Sequence, residues 1–247
     1  MKKKIISVES VTKNFPHYKH LGGGLKNVLL RPQSLVNFYK NKQFNALNNI
    51  SFDVYQGESV AIIGKNGAGK STLLSLLTGV IKPTAGTIKV NGRVAAMLEL
   101  GGGFHSELTG RENIIMNATL LGFPLSQTKK KLDSIISFSE LEDFIDQPIR
   151  TYSSGMLAKL GFSVISHVEP EILIIDEVLA VGDLAFQRKC LNTIRSFQKN
   201  GATIILVSHS IKDVRTFCDR TIWIKDHEVA MDGLTTDIIS HYEEYMS

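Results

Sequence analysis

An α/β fold is predicted for this chain by three features of its 247 residues. Two continuous apolar runs, Ile172–Ile175 and Thr203–Val207, have the character of strands buried on both faces of a parallel sheet. A third, Ser59–Ile63, passes straight into the glycine-bearing stretch Gly64–Gly69 and then into the helix-forming Lys70–Leu77, a strand–loop–helix unit. Between these units, at about 100–165, the pattern turns mainly helical. Residues 1–247 therefore read as one domain with a helical insert.

In chain order, Ile5–Val11 alternates loosely and opens the fold as a strand ending near Phe15-Pro16. Leu21–Leu25, with three consecutive glycines, is a loop of unusual backbone freedom. Leu25–Leu30 and Leu35–Tyr39 are expected as short amphipathic helices, Pro32 starting the second. Ala46–Val54 returns to strand character through Leu47, Ile50, Phe52 and Val54. Thr87–Val90 and Val94–Leu98 read as strands turned at Asn91-Gly92. The helical pattern from Leu108 to Val168 is interrupted around Pro148–Ser154. Residues 222–232 read as a late hairpin and 235–246 as a closing helix.

Hydrophobic residues at 43% and charged residues at 21% favour a packed core over disorder. The longest apolar runs fall far short of the roughly 20 residues that span a bilayer. Lys2–Lys4 looks like the start of a signal peptide, but only Ile5 and Ile6 precede Ser7 and Glu9, so the required apolar stretch is absent. Cys190 and Cys218 have no spacing for a metal site or disulfide framework and are expected as reduced thiols of a cytosolic protein. The net charge of +4 is unevenly placed: residues 1–50 carry nine basic side chains against Glu9 alone, leaving nineteen basic and twenty-three acidic beyond. Such a basic segment meets anionic lipid, a phosphorylated substrate or nucleic acid, or is simply a solvated surface.

The stretch Gly64, Lys65, Asn66, Gly67, Ala68, Gly69, Lys70, Ser71 matches G-x-x-x-x-G-K-[ST] in full. Its glycines let backbone N–H groups turn inward around an anion, and the helix beginning behind it adds the positive end of its dipole. Lys70 is placed to reach the β- and γ-phosphates of a nucleotide, with Ser71 as a Mg²⁺ ligand and Thr72 following in the same helix turn. Some hundred residues on, Ile172–Ile175 ends in Asp176-Glu177. A carboxylate there is expected beside the phosphate loop of a neighbouring strand, Asp176 holding Mg²⁺ and Glu177 polarising the attacking water. Ser208-His209 closes the run Thr203–Val207, which places the imidazole of His209 to contact the γ-phosphate and water. His17, His20 and His105 have no such support.

Phosphate loop, Ser-Gly segment, hydrophobic-Asp-Glu and strand-end histidine follow in an order that resembles the ABC ATPases along nearly the whole chain. The resemblance implies a P-loop NTPase core with an antiparallel β subdomain and a helical subdomain. Tyr152-Ser153-Ser154-Gly155-Met156 stands where that family commonly has Leu-Ser-Gly-Gly-Gln, which implies that Ser153 and Gly155 touch ATP held by a second copy. Ala180-Val181-Gly182-Asp183 looks like the loop that couples the two sites of such a dimer. Where the family has a Mg²⁺-binding glutamine this chain offers Glu99, within about one residue of register; a carboxylate can still ligate Mg²⁺. For the adenine-stacking aromatic, family position favours Phe15, with Tyr39 and Phe44 as rivals.

Together, Tyr152–Met156, Asp176–Asp183, Leu98–Phe104 and Leu108-Thr109-Gly110-Arg111-Glu112-Asn113 resemble the bacterial exporters of lipid-linked polysaccharides: O-antigen, capsule and teichoic acid. The Gly-rich insert at residues 16–45 is similar to that group too, and no added C-terminal carbohydrate-binding domain is expected. The implied protein is an ATPase using ATP and Mg²⁺, a head-to-tail homodimer gripping a separate membrane-spanning permease at the cytoplasmic face of the cell membrane. Lys26 and Arg31 would steer the anionic headgroup of the lipid-linked glycan, unless the insert merely covers a sheet edge. No nucleic-acid partner is expected. The remaining readings are an ABC ATPase for another substrate, a soluble ABC ATPase outside transport, or a non-catalytic nucleotide-binding regulator.

Overall fold

The computed structural model describes residues 3–16, 43–97, 103–176 and 182–246. The expected helices at 25–30 and 35–39 lie outside these residues.

Two sheets form the framework. Strands β1 (Lys4–Pro16), β2 (Gln43–Tyr55) and β4 (Ala85–Val90) make a three-stranded antiparallel sheet in the order β2-β1-β4, with Val8 opposite both Phe52 and Ile88. The second sheet holds β3 (Ser59–Ile63), β5 (Val94–Met97), β6 (Ile172–Asp176), β7 (Thr203–Val207), β8 (Arg220–Lys225) and β9 (Glu228–Leu234). Its order is β5-β6-β7-β3-β8-β9, parallel from β5 to β8 and closed by the antiparallel β9.

Alternate residues of the parallel strands point into two different cores, which is why these strands read as unbroken apolar runs. Ala61, Ile63, Leu173, Ile175, Ile204 and Leu206 pack against the helices α4 (Ser154–Val168), α5 (Leu184–Lys199), α6 (Ile211–Phe217) and α7 (Thr235–Met246). Val60, Ile62, Ile172, Ile174, Ile205 and Val207 face the helix α1 (Lys70–Leu77) and the three-stranded sheet. Cys190 and Cys218 are buried, unbonded thiols in the first core, both pushed up to about 12 by burial.

A third core belongs to the helical insert. There α2 (Gly110–Leu120), α3 (Leu125–Ser139) and α4 enclose Ile114, Ile135, Leu160 and Val164. The other face of α4 carries Ala158, Phe162 and Ile165 into the sheet core, so this helix is a wall shared by both. The Leu108–Asn113 segment has a clear structural logic. Thr109 and Glu112 form a reciprocal capping box at the start of α2. Gly110 leaves room for the Tyr152 hydroxyl, and buried Asn113 donates to the carbonyls of His105, Leu108 and Thr109.

Two expectations are corrected here. Asn91-Gly92 does not close a hairpin: β4 pairs with β1, whereas β5 pairs in parallel with β6. The chain changes sheets because Ala95 and Met97, each 1% exposed, belong to the helix-side core, which a β4–β5 hairpin would deny them. Nor does β6 neighbour the strand that leads into the phosphate loop, since β7 lies between them.

Candidate functional site

Because β3, β6 and β7 are parallel, their C-terminal ends open on one edge of the sheet, where an open α/β sheet typically binds its ligand. β3 delivers Gly64, β6 delivers Asp176, and the intervening β7 delivers Ser208-His209. This brings Asp176 and His209 to the same cavity as Lys70, Ser71 and Thr72, a space of about 290 Å³.

The phosphate loop is shaped by close backbone approaches. Gly64 (φ 155°) packs against the Ile224 carbonyl of β8, where a Cβ would collide. Gly69 (φ 106°) sits against the Ala46 carbonyl and Leu47 and is the N-cap of α1. Among the described residues no side chain caps α1, so its first-turn N–H groups keep their donor capacity for an anion. Lys70 is buried, and its Nζ donates to the carbonyls of Gly64 at 2.9 Å and Lys65 at 3.2 Å.

Among the described residues, burial and the neighbouring charge act in opposite directions on Lys70 and Asp176. Burial lowers the pKa of Lys70, with Asp176 opposing the shift, and burial raises that of Asp176, with Lys70 opposing. His209 is lowered by desolvation and then by the charge of Lys70. A phosphate against Lys70 and a hard cation against Asp176 would favour the charged form of each. The oxygen donors of Ser71 and Asp176 are of the type Mg²⁺ takes, so the residues present fit that ion.

Of the three aromatic rivals for the base, Phe44 lines this cavity and Phe15 does not; Tyr39 lies outside the described residues. Phe15 is the cross-strand partner of Phe44 and carries the Lys13 ammonium over its own ring. Phe44 is 48% exposed and meets His227 edge-on. Glu99, Glu177, Ala180 and Val181 fall outside the described residues, as do His17, His20, Lys26 and Arg31. His105 is a structural residue of the loop before α2, accepting from the Glu107 N–H through Nδ1.

Ser153 and Gly155 stand elsewhere. Ser153 is the exposed N-cap of α4, its hydroxyl accepting from the Met156 N–H at 3.2 Å, and a Cβ on Gly155 would meet only that hydroxyl at 3.9 Å. Neither lines the cavity around Lys70. Asp183 caps α5 by accepting from Phe186 N–H and also pairs with Lys159 of α4 at 2.9 Å; these donors hold its carboxyl down at about 2. Among the described residues no helix is long and apolar enough to cross a membrane, and no cluster of three or more His, Cys, Asp or Glu forms a metal site.

Sequence reasoning missed one feature of this region. A second cavity, of about 360 Å³, shares Phe44, Asn66 and Gly67 with the first and is lined further by Lys65, Trp223, Lys225 and Tyr245. Lys65 and Tyr245 are 180 positions apart, and no local pattern links them.

The profile of the ABC transporter family matches residues 47–180. The chain is 57% identical to the O-antigen export system ATP-binding protein RfbB of Klebsiella pneumoniae, across 98% of this chain and 99% of that one. It is 42% identical to the teichoic acids export ATP-binding protein TagH of Staphylococcus saprophyticus, over 98% and 89%. Among solved structures, an ATP-binding subunit of an ABC transporter superposes with a TM-score of 0.73 at 23% identity, over 97% of this chain and 93% of that one. A dimeric bacterial ABC transporter cassette gives 0.71 at 20%, over 93% and 98%.

Proposed function

The chain belongs to the ABC transporter family as an ATP-binding, ATP-hydrolysing subunit, and from that premise we propose that it powers export of a lipid-linked polysaccharide through a separate permease. The substrate class is that of O-antigen, capsule or teichoic acid. The observation that carries it is the nearly end-to-end likeness to the O-antigen export ATPase. In this reading the protein is peripheral, at the cytoplasmic face of the cell membrane.

The chemistry proposed for each residue follows from its placement. The loop Gly64–Ser71 cradles the ATP phosphates, Lys70 placing its ammonium against the β- and γ-phosphates. Ser71 and Asp176 hold Mg²⁺, which when bound offsets phosphate charge, with Glu99 as a further ligand. Glu177 orients and polarises the attacking water, and His209 contacts the γ-phosphate from the end of β7. Phe44, rather than Phe15, stacks on adenine, because it borders the cavity that holds Lys70. Ser153 and Gly155 complete the site of a second copy in a head-to-tail dimer; the exposure of Ser153 at the free end of α4, and the position of both away from their own chain's Lys70 cavity, support this. Catalysis here is positioning plus charge stabilisation.

The test is complementation of a strain deleted for this gene. Wild type should restore surface polysaccharide. Glu177→Gln should leave lipid-linked polymer inside, while the purified variant binds ATP with hydrolysis nearly abolished. Full surface polysaccharide in the deletion strain itself would remove the export reading, and wild-type hydrolysis by Glu177→Gln would remove that residue from its role. Neutralising Lys26 and Arg31 separately tests whether the 16–45 insert meets the glycan headgroup: unchanged export means that it does not.

A further inference from the structure

The last turn of α7 reaches the phosphate loop at the second cavity, which shares Phe44, Asn66 and Gly67 with the Lys70 cavity. The ring of Tyr245 has the Lys65 ammonium 4.2 Å from its centroid and the Lys225 ammonium at 4.1 Å. Buried Trp223 supports the ring from β8 at 5.2 Å and contacts Tyr242, one turn earlier on the helix, at 5.5 Å. In the sheet, Trp223 is the register partner of Ile63, the residue that leads into Gly64. The end of β8, the last turn of α7 and the start of the phosphate loop thus form one packed corner.

Lys65 joins this corner to the nucleotide machinery. Lys65 borders the second cavity and is not among the residues lining the Lys70 cavity. Its carbonyl, however, accepts from Lys70 Nζ at 3.2 Å and from the Ala68 N–H at 3.1 Å. A lysine on an exposed loop loses substantial rotamer freedom when it is held in one place, so something must hold it. A cation within about 6 Å of a tyrosine ring is held by the negative face of the π-system.

We propose that Tyr245 is a positioning residue for ATP binding: it pins the Lys65 side chain, which fixes the Lys65 carbonyl and through it the resting place of the Lys70 ammonium. Residues far apart in sequence then share one task, with Lys65 as the hinge pin between them. Phenylalanine keeps the ring face and should keep the function; leucine keeps bulk without the face and should not. The inference rests on the reading of Gly64–Ser71 as the ATP cradle.

The experiment uses the purified full chain, ADP titrations and steady-state ATP hydrolysis. Trp223 is the chain's one tryptophan, so its emission reports this corner directly. Tyr245→Leu should raise the KM for ATP and the Kd for ADP about two- to five-fold with kcat unchanged, the scale of an exposed cation–π contact. Tyr245→Phe should match wild type. In a Lys65→Met background, Tyr245→Leu should add nothing further. A purely structural role would lower Tm and would not depend on Lys65. The proposal is overturned if Tyr245→Leu binds ADP like wild type, or keeps its full effect beside Lys65→Met. Should Tyr245→Leu fail to fold, Lys65→Met alone decides: unchanged ADP affinity overturns the proposal, and a two- to five-fold loss with shifted Trp223 emission supports it. Failure of the wild-type chain itself to bind ADP would instead remove the reading of the loop.

Discussion

The N-termini of α1 and α4 are both places where a helix offers unpaired N–H groups to an anion, yet the chain treats them differently. At α1 the backbone wraps round the helix start, no side chain among the described residues caps it, and the buried Lys70 waits on two loop carbonyls. At α4 the exposed Ser153 caps its own helix and does not line the Lys70 cavity. The first end is a site within one chain. The second has one of its free N–H groups held by its own chain, through a single hydroxyl bond at 3.2 Å. In the proposed head-to-tail dimer, splitting the site in this way would make hydrolysis conditional on two copies meeting while leaving nucleotide capture to one.

Four experiments test that contrast. Lys70→Ala should have the largest effect, lowering turnover about 10²–10³-fold and weakening nucleotide binding by the isolated chain, because a preorganised charge donor is removed. Ser153→Ala should lower ATP turnover at least about tenfold. Its Kd for ADP, measured on the dilute monomer, should stay at the wild-type value; weaker binding by that monomer would place Ser153 in its own chain's site. Phe44→Ala should raise the KM for ATP about fivefold or more, the scale of base–aromatic stacking, with Phe15→Ala near wild type; the reverse order would return the base to Phe15. Smallest is a pH effect at Asp183. Its carboxyl is depressed to about 2, so its stabilising contribution is full above the ordinary carboxylate range and is lost as pH falls towards 2. The gap in Tm between wild type and Asp183→Asn should therefore narrow between about pH 5 and pH 2.5.

What was legible in the sequence tracks how locally each feature is encoded. The phosphate loop announces itself because consecutive residues carry both the backbone shape and the charge. The runs at 172–175 and 203–207 gave away buried parallel strands because both of their faces are covered. Strand order is a different kind of property: nothing within Ile172–Asp176 says that β7 separates it from β3. Nor does Asn91-Gly92 say which sheet its second strand will join, since that is decided by the burial of Ala95 and Met97. The choice between Phe15 and Phe44 rests on which member of a cross-strand pair borders the loop, a matter of register that composition does not carry. Resemblance singled out Leu108–Asn113 without a reason; the capping box and the buried Asn113 supply one.

The two cysteines make the proposed split site open to chemical mapping. Both are buried and titrate near 12, so at neutral pH they present almost no thiolate and little surface to an alkylating reagent. The natural chain is thus already a silent background for thiol labelling. A cysteine introduced at exposed Ser154, paired with one at Asn66 in a separately tagged copy, should be the only reactive pair in the mixture. The spacer length that joins them would then serve as a ruler across the two halves.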